Sequence, residues 1–433
     1  MIFLLFTFKG GTRLAEYKIT RNTPIEKMTP PAEIFLPMSQ NTVPTVKIGE
    51  RVLRGQIIAE TEDRNDCPIH SGVSGKVKSI ISKNKKSKTG CVVVIENDGE
   101  YETAPDIIPS EKKLTETTSE EIIEVVRKAG IEGFCRDDQP AYAKIQSALG
   151  RADKLIINCV ESDPYITSAY RLMLERPAEI VNGTKILLKA LGLREADIAV
   201  EDNKIDAAEK LEEKIGSSRM INVKIVKSKY PQADDRQLVY ALTGREIPAG
   251  KSPLDVRCVV FSAQTCAAIY RAFAFGAPLT ERLVTVSGGC VAAPKNLIVT
   301  LGTTYKDVID YCSGLKKEPR KIINGGAMTG VAVTDINVPV LKGTSAILVL
   351  SADECAEEET DAVCIRCGKC VMSCPMHLMP TLLADLARNE RLDEAEKNNL
   401  FSCVECGSCT YVCPAKIHLA WHIRVAKEAI RAK

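Results

Sequence analysis

The 433-residue chain is short of several things, and each shortage excludes a class of function. Aromatic residues make up 5%, with a single Trp, and Lys and Arg are scattered rather than gathered into a stripe. Nothing here builds the basic groove and stacking platform that nucleic acid needs. Neither sign of charge is in excess: 58 basic against 56 acidic residues leave a formal +2, which implies no polyanionic partner. Long apolar runs are missing too. The opening MIFLLFTFKGG lacks the basic flank and small-residue cleavage site of a signal peptide. It also falls well short of the roughly 20 residues that cross a bilayer, and it reads as a first β-strand. The expectation is a soluble protein, or one held on a membrane by a partner.

Cysteine is what the chain has in quantity, 17 in all. Eight fall into two near-copies, CIRCGKCVMSCP from Cys364 to Pro375 and CVECGSCTYVCP from Cys403 to Pro414; the other nine are dispersed. Secreted disulfide scaffolds are small and dense in cysteine. A long chain with paired clusters suits a reducing compartment and metal ligation. Cys159, Cys258, Cys266 and Cys290 lie in apolar stretches and read as small buried hydrophobes.

Each run has the spacing C-x2-C-x2-C-x3-C-P, in which three sulfurs wrap one [4Fe–4S] cubane and the fourth reaches the other cluster. Cys364, Cys367 and Cys370 are thus assigned to one cluster with Cys413, and Cys403, Cys406 and Cys409 to a second with Cys374. Gly368, Gly407 and Ser408 leave room for the cubanes. Structural zinc is the alternative for C-x2-C pairs, but two complete runs, each closed by proline, favour clusters. Two adjacent clusters conduct electrons.

At this length several domains are expected. Residues 34–100 read as short strands with turn glycines at Gly49, Gly55, Gly72 and Gly75, similar to the lipoyl/biotinyl-type barrel-sandwich hammerhead. The only lysine of its HSGVSGKV turn, Lys76, follows the turn glycine, so no swinging arm is expected. A polar, Pro-containing stretch near 103–120 reads as a linker, followed by a helix N-capped by Ser119 and stopped at Gly130. Between 150 and 250 strands and helices alternate (KLIINCV, EIVNGTKILLKALG, ADIAVED, IDAAEKLEEKIG, INVKIVKS), the pattern of a parallel sheet with ligands beyond its strand C-termini. Residues 283–350 return to short strands around one helix, a β-grasp pattern, and LAWHIRVAKEAIRAK at the C-terminus reads as a basic amphipathic helix packed over the cysteine runs.

The segments FTFKGGTRLAEYK, PIEKMTPPAEIFLPMSQ, IHSGVSGKV, YPQADDRQLVYALTGREIPAG and LTERLVTVSGG, with the twin cysteine runs, resemble, in order, the RnfC family of the Rnf complex. The resemblance implies an α/β multidomain fold. Its parts would be a barrel-sandwich hammerhead (1–105), a Rossmann-like domain similar to the flavin subunit of complex I (119–260), a soluble-ligand-binding (SLBB-type) β-grasp domain (261–350) and a helical ferredoxin-like dicluster domain (355–433). It implies an electron-transfer subunit that takes electrons from NADH onto FMN and passes them through two [4Fe–4S] clusters. The partners it implies are membrane subunits of an Rnf-type complex and ferredoxin or another redox protein. The place it implies is the cytoplasmic, inner face of the membrane. Carried over residue by residue, the FMN and NADH positions are Gly130, Gly133, Lys144, Glu161, Asp163, Glu201, Asp202, Asn203 and Lys204. No catalytic residue is assigned.

The sequence departs from that family in its glycine-rich loop. GIEGFCRDDQPAYAKI keeps Gly130, Gly133, Pro140 and Lys144, but Cys135, Arg136, Asp137 and Asp138 replace the central residues. Glycines there would let backbone N–H groups approach a phosphate, whereas two carboxylates repel one. Ala169 also stands where the family favours an acid, and Ala233 and Asp234 where it favours a glycine-containing turn. Two readings follow: a subunit oxidising NADH through FMN, or a dicluster carrier that has lost the nucleotide site and serves another reductase. On either, anaerobic preparations are expected to contain about eight irons and eight acid-labile sulfides per chain. Zinc in their place, without broad visible absorbance, would rule out the cluster assignment.

Overall fold

The computed structural model describes residues 5–63, 65–82, 89–110, 112–133, 139–355 and 363–432. Cys135, Arg136, Asp137 and Asp138 of the glycine-rich loop lie outside them.

The N-terminal module is two small sheets face to face. Glu33–Ser39 pairs antiparallel with Thr89–Asn97, which continues to Gly75–Ser82 and Arg51–Val52; Thr42–Pro44, Ile57–Thr61 and Ile69–His70 form the second sheet. Alternation along Glu33–Ser39 sends Ile34, Leu36 and Met38 inward, where they meet Val93, Ile95 and Ile58, as a strand with one buried face requires.

The middle module is a four-stranded parallel sheet in the order Ile221–Val226, Ala196–Glu201, Lys154–Asn158, Cys258–Ser262. Leu155, Ile156 and Ile157 are all buried, because helices cover both faces of a parallel sheet and leave no polar side. The helix before it runs from Ser119 to Lys128, but Thr118, not Ser119, is its N-cap. The Thr118 hydroxyl accepts from the Glu121 N–H and the Glu121 carboxylate accepts from the Thr118 N–H, a reciprocal capping box that Ser119 is one residue too late to make. The helix Ala263–Phe275, on the far side of the expected 260/261 boundary, packs against Pro177–Leu191 of this module.

The third module is a six-stranded sheet, Ile25–Lys27, Lys295–Thr300, Glu281–Ser287, Ala346–Leu350, Lys321–Asn324, Val331–Val333, with the helix Tyr305–Tyr311. Its edge strand, Ile25–Lys27, comes from the N-terminal segment and pairs in parallel with Lys295–Thr300. The last module is helical, with Pro380–Arg388 packed on Leu419–Arg431 and Leu383, Leu386, Leu400 and Ile423 between them. Cys159, Cys258, Cys266 and Cys290 are buried.

The opening segment does not run as an independent strand: among the described residues Phe6 makes one parallel bridge, to Val226 at the edge of the parallel sheet. It then acts as a strap. Thr12 and Tyr230 exchange backbone hydrogen bonds of 2.8 Å, and the Gly11 N–H donates to the Ser373 carbonyl at 2.9 Å. Gly10, at φ +75°, lies so close to the cysteine runs that a Cβ would sit 2.5 Å from the Cys374 oxygen. Gly10→Val should therefore cost more than the ~1–2 kcal/mol of a left-handed conformation. Gly99→Val, at the same φ with open space around it, carries the conformational cost alone. Thermal loss of cluster absorbance should begin at lower temperature in Gly10→Val than in Gly99→Val, and equal behaviour would mean the strap does not hold the cysteine module.

Candidate functional site

Two adjoining cavities open beyond the C-terminal ends of the parallel strands. The larger, about 650 Å³, is lined by Lys144, Arg151, Asn158, Phe261 and Ser262 among others, and the smaller, about 440 Å³, by Arg13, Lys18, Glu201, Asp202, Asn203 and Lys229 among others. Glu161, Asp163 and Tyr230 line both. This is the crevice in which parallel α/β sheets bind ligands, and the larger volume is in the range of a small-molecule site.

The sequence-assigned residues divide into three groups. Lys144, Glu161 and Asp163 line the larger cavity, Lys144 with its ammonium 5.2 Å from the Phe261 ring centre. Glu201, Asp202 and Asn203 line the smaller one with Glu161 and Asp163. Gly130, Gly133 and Lys204 line neither. Gly130 serves the contact between modules: at φ +65°, a Cβ on it would lie 2.5 Å from the Pro68 oxygen. The Gly133 N–H donates to the Gln139 carbonyl at 2.8 Å.

Lys204 is a buried counter-ion. It bonds Glu201 and lies 3.8 Å from Glu161. Burial opposes its charge, but Glu201 and Glu161 more than offset this and raise its pKa. Burial likewise opposes the Glu201 charge, and Lys204 and Lys18 hold that carboxyl below the usual range. Glu161 caps a helix: its carboxylate accepts from the N–H groups of Ala169 (2.6 Å) and Tyr170 (3.0 Å), at the start of Ser168–Glu175, where the helix dipole favours a negative charge. At Ala169, where the resemblance had implied an acid, a small residue's backbone N–H thus binds the Glu161 carboxylate.

Lys18 is the residue the sequence reading missed. From the N-terminal strap its ammonium donates to the carbonyls of Glu161 (2.9 Å), Asp163 (3.0 Å) and Ile166 (2.7 Å). It fastens the loop that places Glu161 and Asp163. Its position in FTFKGGTRLAEYK was a signal that this segment matters, though not that it reaches the crevice. Two buried polar atoms of the smaller cavity, Asn203 Oδ1 and Ser228 Oγ, have no partner among the described protein groups, which suits a polar ligand.

A separate cavity is ringed by Cys374, Cys403, Cys406 and Cys409, with Leu378, Leu383 and Ile423 as its apolar wall. One cysteine of the first run therefore meets three of the second. The N–H groups of Leu378 and Glu405 point at the sulfurs of Cys374 and Cys403, at 3.4 and 3.3 Å. Burial pushes the Cys403 and Cys409 thiols up to about 11 and about 12, and raises those of Cys374 and Cys406. Four thiolates are tolerable in such a place only around a cationic centre, so the donor set fits an iron–sulfur cluster. Cys370 and Cys413 meet on the other side, beside Ile417 and Leu419, while Cys364 and Cys367 are exposed. Among the described residues no three His, Cys, Asp or Glu converge on a single-ion site.

Tyr230 joins the two regions. It lines both crevice cavities, and its hydroxyl donates to the Cys406 carbonyl at 2.6 Å. Gln237, in the helix that follows, reaches the Met376 sulfur at 3.1 Å. Asp234 caps that helix through the Arg236 N–H.

The chain matches four described families: the RnfC barrel sandwich hybrid domain over 6–100, the Nuo51 FMN-binding domain over 126–271, the SLBB domain over 283–332 and the 4Fe-4S dicluster domain over 357–423. It is 39% identical to the C subunit of the proton-translocating ferredoxin:NAD(+) oxidoreductase complex of Clostridium ljungdahlii, over 99% of this chain and 95% of that one. It is 38% identical to the C subunit of the Na(+)-translocating ferredoxin:NAD(+) oxidoreductase complex of Acetobacterium woodii, over 99% and 98%. To the C subunit of the ion-translocating oxidoreductase complex of Rhodobacter capsulatus it is 35% identical, over 87% and 74%. A structure of an NAD+-reducing [NiFe]-hydrogenase in the air-oxidised state shares the fold, at a TM-score of 0.51 and 16% identity over 77% of this chain and 68% of that one.

The Lys18 clamp has two measurable consequences. Lys18→Met leaves three carbonyls without their donor and should cost about 3 kcal/mol, at roughly 1 kcal/mol each, with faster amide exchange across residues 161–166. Burial, then the charge of Lys204, lowers the Lys18 pKa from the ordinary lysine value to about 8. Above about pH 8 the unfolded chain holds a proton here that the folded chain has released, so stability rises with pH through this window. The stability difference between wild type and Lys18→Met should widen from pH 8 towards pH 10. A constant difference would place the ammonium in solvent.

Proposed function

Because the chain belongs to the RnfC family of ion-translocating oxidoreductase subunits, we propose that it is the electron-transfer subunit of an Rnf-type complex, linking an NADH and FMN site in the crevice to a ferredoxin-side partner. The Tyr230–Cys406 hydrogen bond carries this reading, since it gives the ligand crevice and the four-cysteine cavity a common wall. Cys374, Cys403, Cys406 and Cys409 hold the cluster nearer the crevice. Cys364, Cys367, Cys370 and Cys413 hold the other, with two exposed ligands at the exit. Bound FMN would supply the conversion of a two-electron hydride donor to one-electron carriers. The chain's own part is to place it: Lys144 and Arg151 offer positive charge to its phosphate, Phe261 an apolar wall, and Asn203 and Ser228 polar contacts for a second ligand. Among the described residues no helix is long and apolar enough to cross a membrane, which suits a peripheral subunit held on the inner face by membrane partners.

A second reading is favoured by one observation. Asp137 and Asp138 stand in the glycine-rich loop, where a carboxylate about 4 Å from a phosphate is repelled by roughly 4 kcal/mol at an effective dielectric near 20. On this reading the clusters serve a different reductase and the crevice holds flavin weakly.

Three measurements on the anaerobic protein separate these readings. Dithionite should reduce the clusters fully, and Cys374→Ser should remove the set shared with Cys403, leaving about four irons. On the first reading FMN binds stoichiometrically and NADH reduces the clusters rapidly; on the second, FMN binds weakly and reduction by NADH is slow. Replacing Arg136, Asp137 and Asp138 by glycine, glycine and alanine should tighten FMN at least tenfold, as about 1.4 kcal/mol per decade allows. Tight stoichiometric FMN in the wild type, with rapid bleaching by NADH, would sink the second reading. No gain from the loop replacement would acquit the carboxylates.

A further inference from the structure

The two cysteine runs hold their sulfurs alike but stand in different charge. Arg366 and Glu405 occupy the same place, just before the second cysteine of each run, and both have left-handed backbone, at φ +57° and +53°. The N–H of each points at the sulfur two residues back, Arg366 at Cys364 (3.4 Å) and Glu405 at Cys403 (3.3 Å). The helices that follow correspond as well: Arg388 and Lys427 each lie 14 residues beyond the fourth cysteine of their run. Arg366 and Arg388 are exposed, whereas Lys427 is only 4% exposed.

Lys427 occupies a core position. The helix Leu419–Arg431 buries Leu419, Ile423, Ala426 and Lys427, the i, i+4, i+7, i+8 stripe that an amphipathic helix turns inward. An apolar side chain would fill that place without electrostatic cost, whereas a buried ammonium must be paired. Lys427 donates to the Cys403 carbonyl at 2.5 Å and to the Glu405 carboxylate at 2.9 Å, and the Arg424 Nε donates to the same carboxylate at 3.0 Å. Two cations thus converge on one ligand loop of the inner set, Cys374, Cys403, Cys406 and Cys409.

A cubane held by four thiolates is anionic and gains one more negative charge on reduction. Burial opposes that gain and lowers the potential; a nearby cation favours it and raises the potential. Exposed charges such as those of Arg366 and Arg388 are screened by solvent. A buried ammonium acts through a lower dielectric and is felt more strongly. Resting on the cluster assignment above, we propose that Lys427 sets the reduction potential of the inner cluster. Its charge offsets the burial of the four thiolates and keeps that cluster reducible from the crevice.

Redox titration of the anaerobically purified full chain, followed by electron paramagnetic resonance, tests this, with Cys374→Ser marking the signal of the outer cluster. Lys427→Met should destabilise the reduced inner cluster at least tenfold, a fall of about 59 mV for a one-electron couple, while the outer cluster moves much less. Lys427→Arg, which keeps the charge, should stay close to the wild type. Glu405→Gln, which removes the opposing charge but keeps an acceptor oxygen, should raise the inner potential. A general loosening of the module does not produce opposite shifts, and Glu405→Gln remains decisive if Lys427→Met loses iron. An unchanged inner potential in an iron-replete Lys427→Met, equal shifts of both clusters, or a fall or no change in Glu405→Gln would each overturn the proposal. A wild type lacking the expected eight or so irons would instead overturn the cluster assignment, and this proposal with it.

Discussion

The hydroxyl of Tyr230 on the carbonyl of Cys406 is the contact on which the working arrangement of this molecule depends. A cysteine module with its own small core could sit anywhere on the surface of the rest. It is held at one place by that bond, by Gln237 on Met376, and by the strap whose Gly10 and Gly11 lie against Ser373 and Cys374. All three approach the same two cysteine loops, those of Cys374 and Cys406. These loops line the four-cysteine cavity, so the set nearer the crevice is the one fixed in position. The exposed set, with Cys364 and Cys367, is left to face outward.

The crevice is shaped by buried charge, which is a poor way to gain stability and a good way to hold geometry. Lys204, Glu201 and Glu161 are each less than a tenth exposed, and taking such groups from water costs several kcal/mol apiece before their attraction is counted. What they achieve is placement. Lys204 ties together the ends of two parallel strands, Glu161 caps the helix Ser168–Glu175, and Lys18 reaches in from the strap to bind three carbonyls of the loop between them. Apolar residues of equal volume could fill the same space but could not orient backbone groups. The family resemblance of Glu161, Glu201 and Lys204 therefore coexists with a structural role for each, and Asp163, which accepts from the Met328 N–H at 3.1 Å, also ties the crevice to the third module.

The chain itself determined its modules and its chemistry. Cysteine spacing is local information: two runs of four within twelve residues each specify what they can ligate before any fold exists. The alternation of apolar strands and amphipathic helices from Lys154 to Ile221 likewise dictates a parallel sheet, because each segment's period is set by its own residues. Tertiary structure alone decided what meets across the sequence. That Lys18 lies on the loop from Glu161 to Ile166, some 145 residues away, that Gly130 abuts Pro68 rather than the crevice, and that Tyr230 reaches Cys406 have no periodic or spacing signal. The same holds for the cap at Thr118, where serine and threonine are equivalent by type and only the register of the first turn chooses. The physical reason is common to all of them: a side chain's chemistry is carried in the chain, but its partner is chosen by the packing of whole modules, and that packing depends on every surface at once.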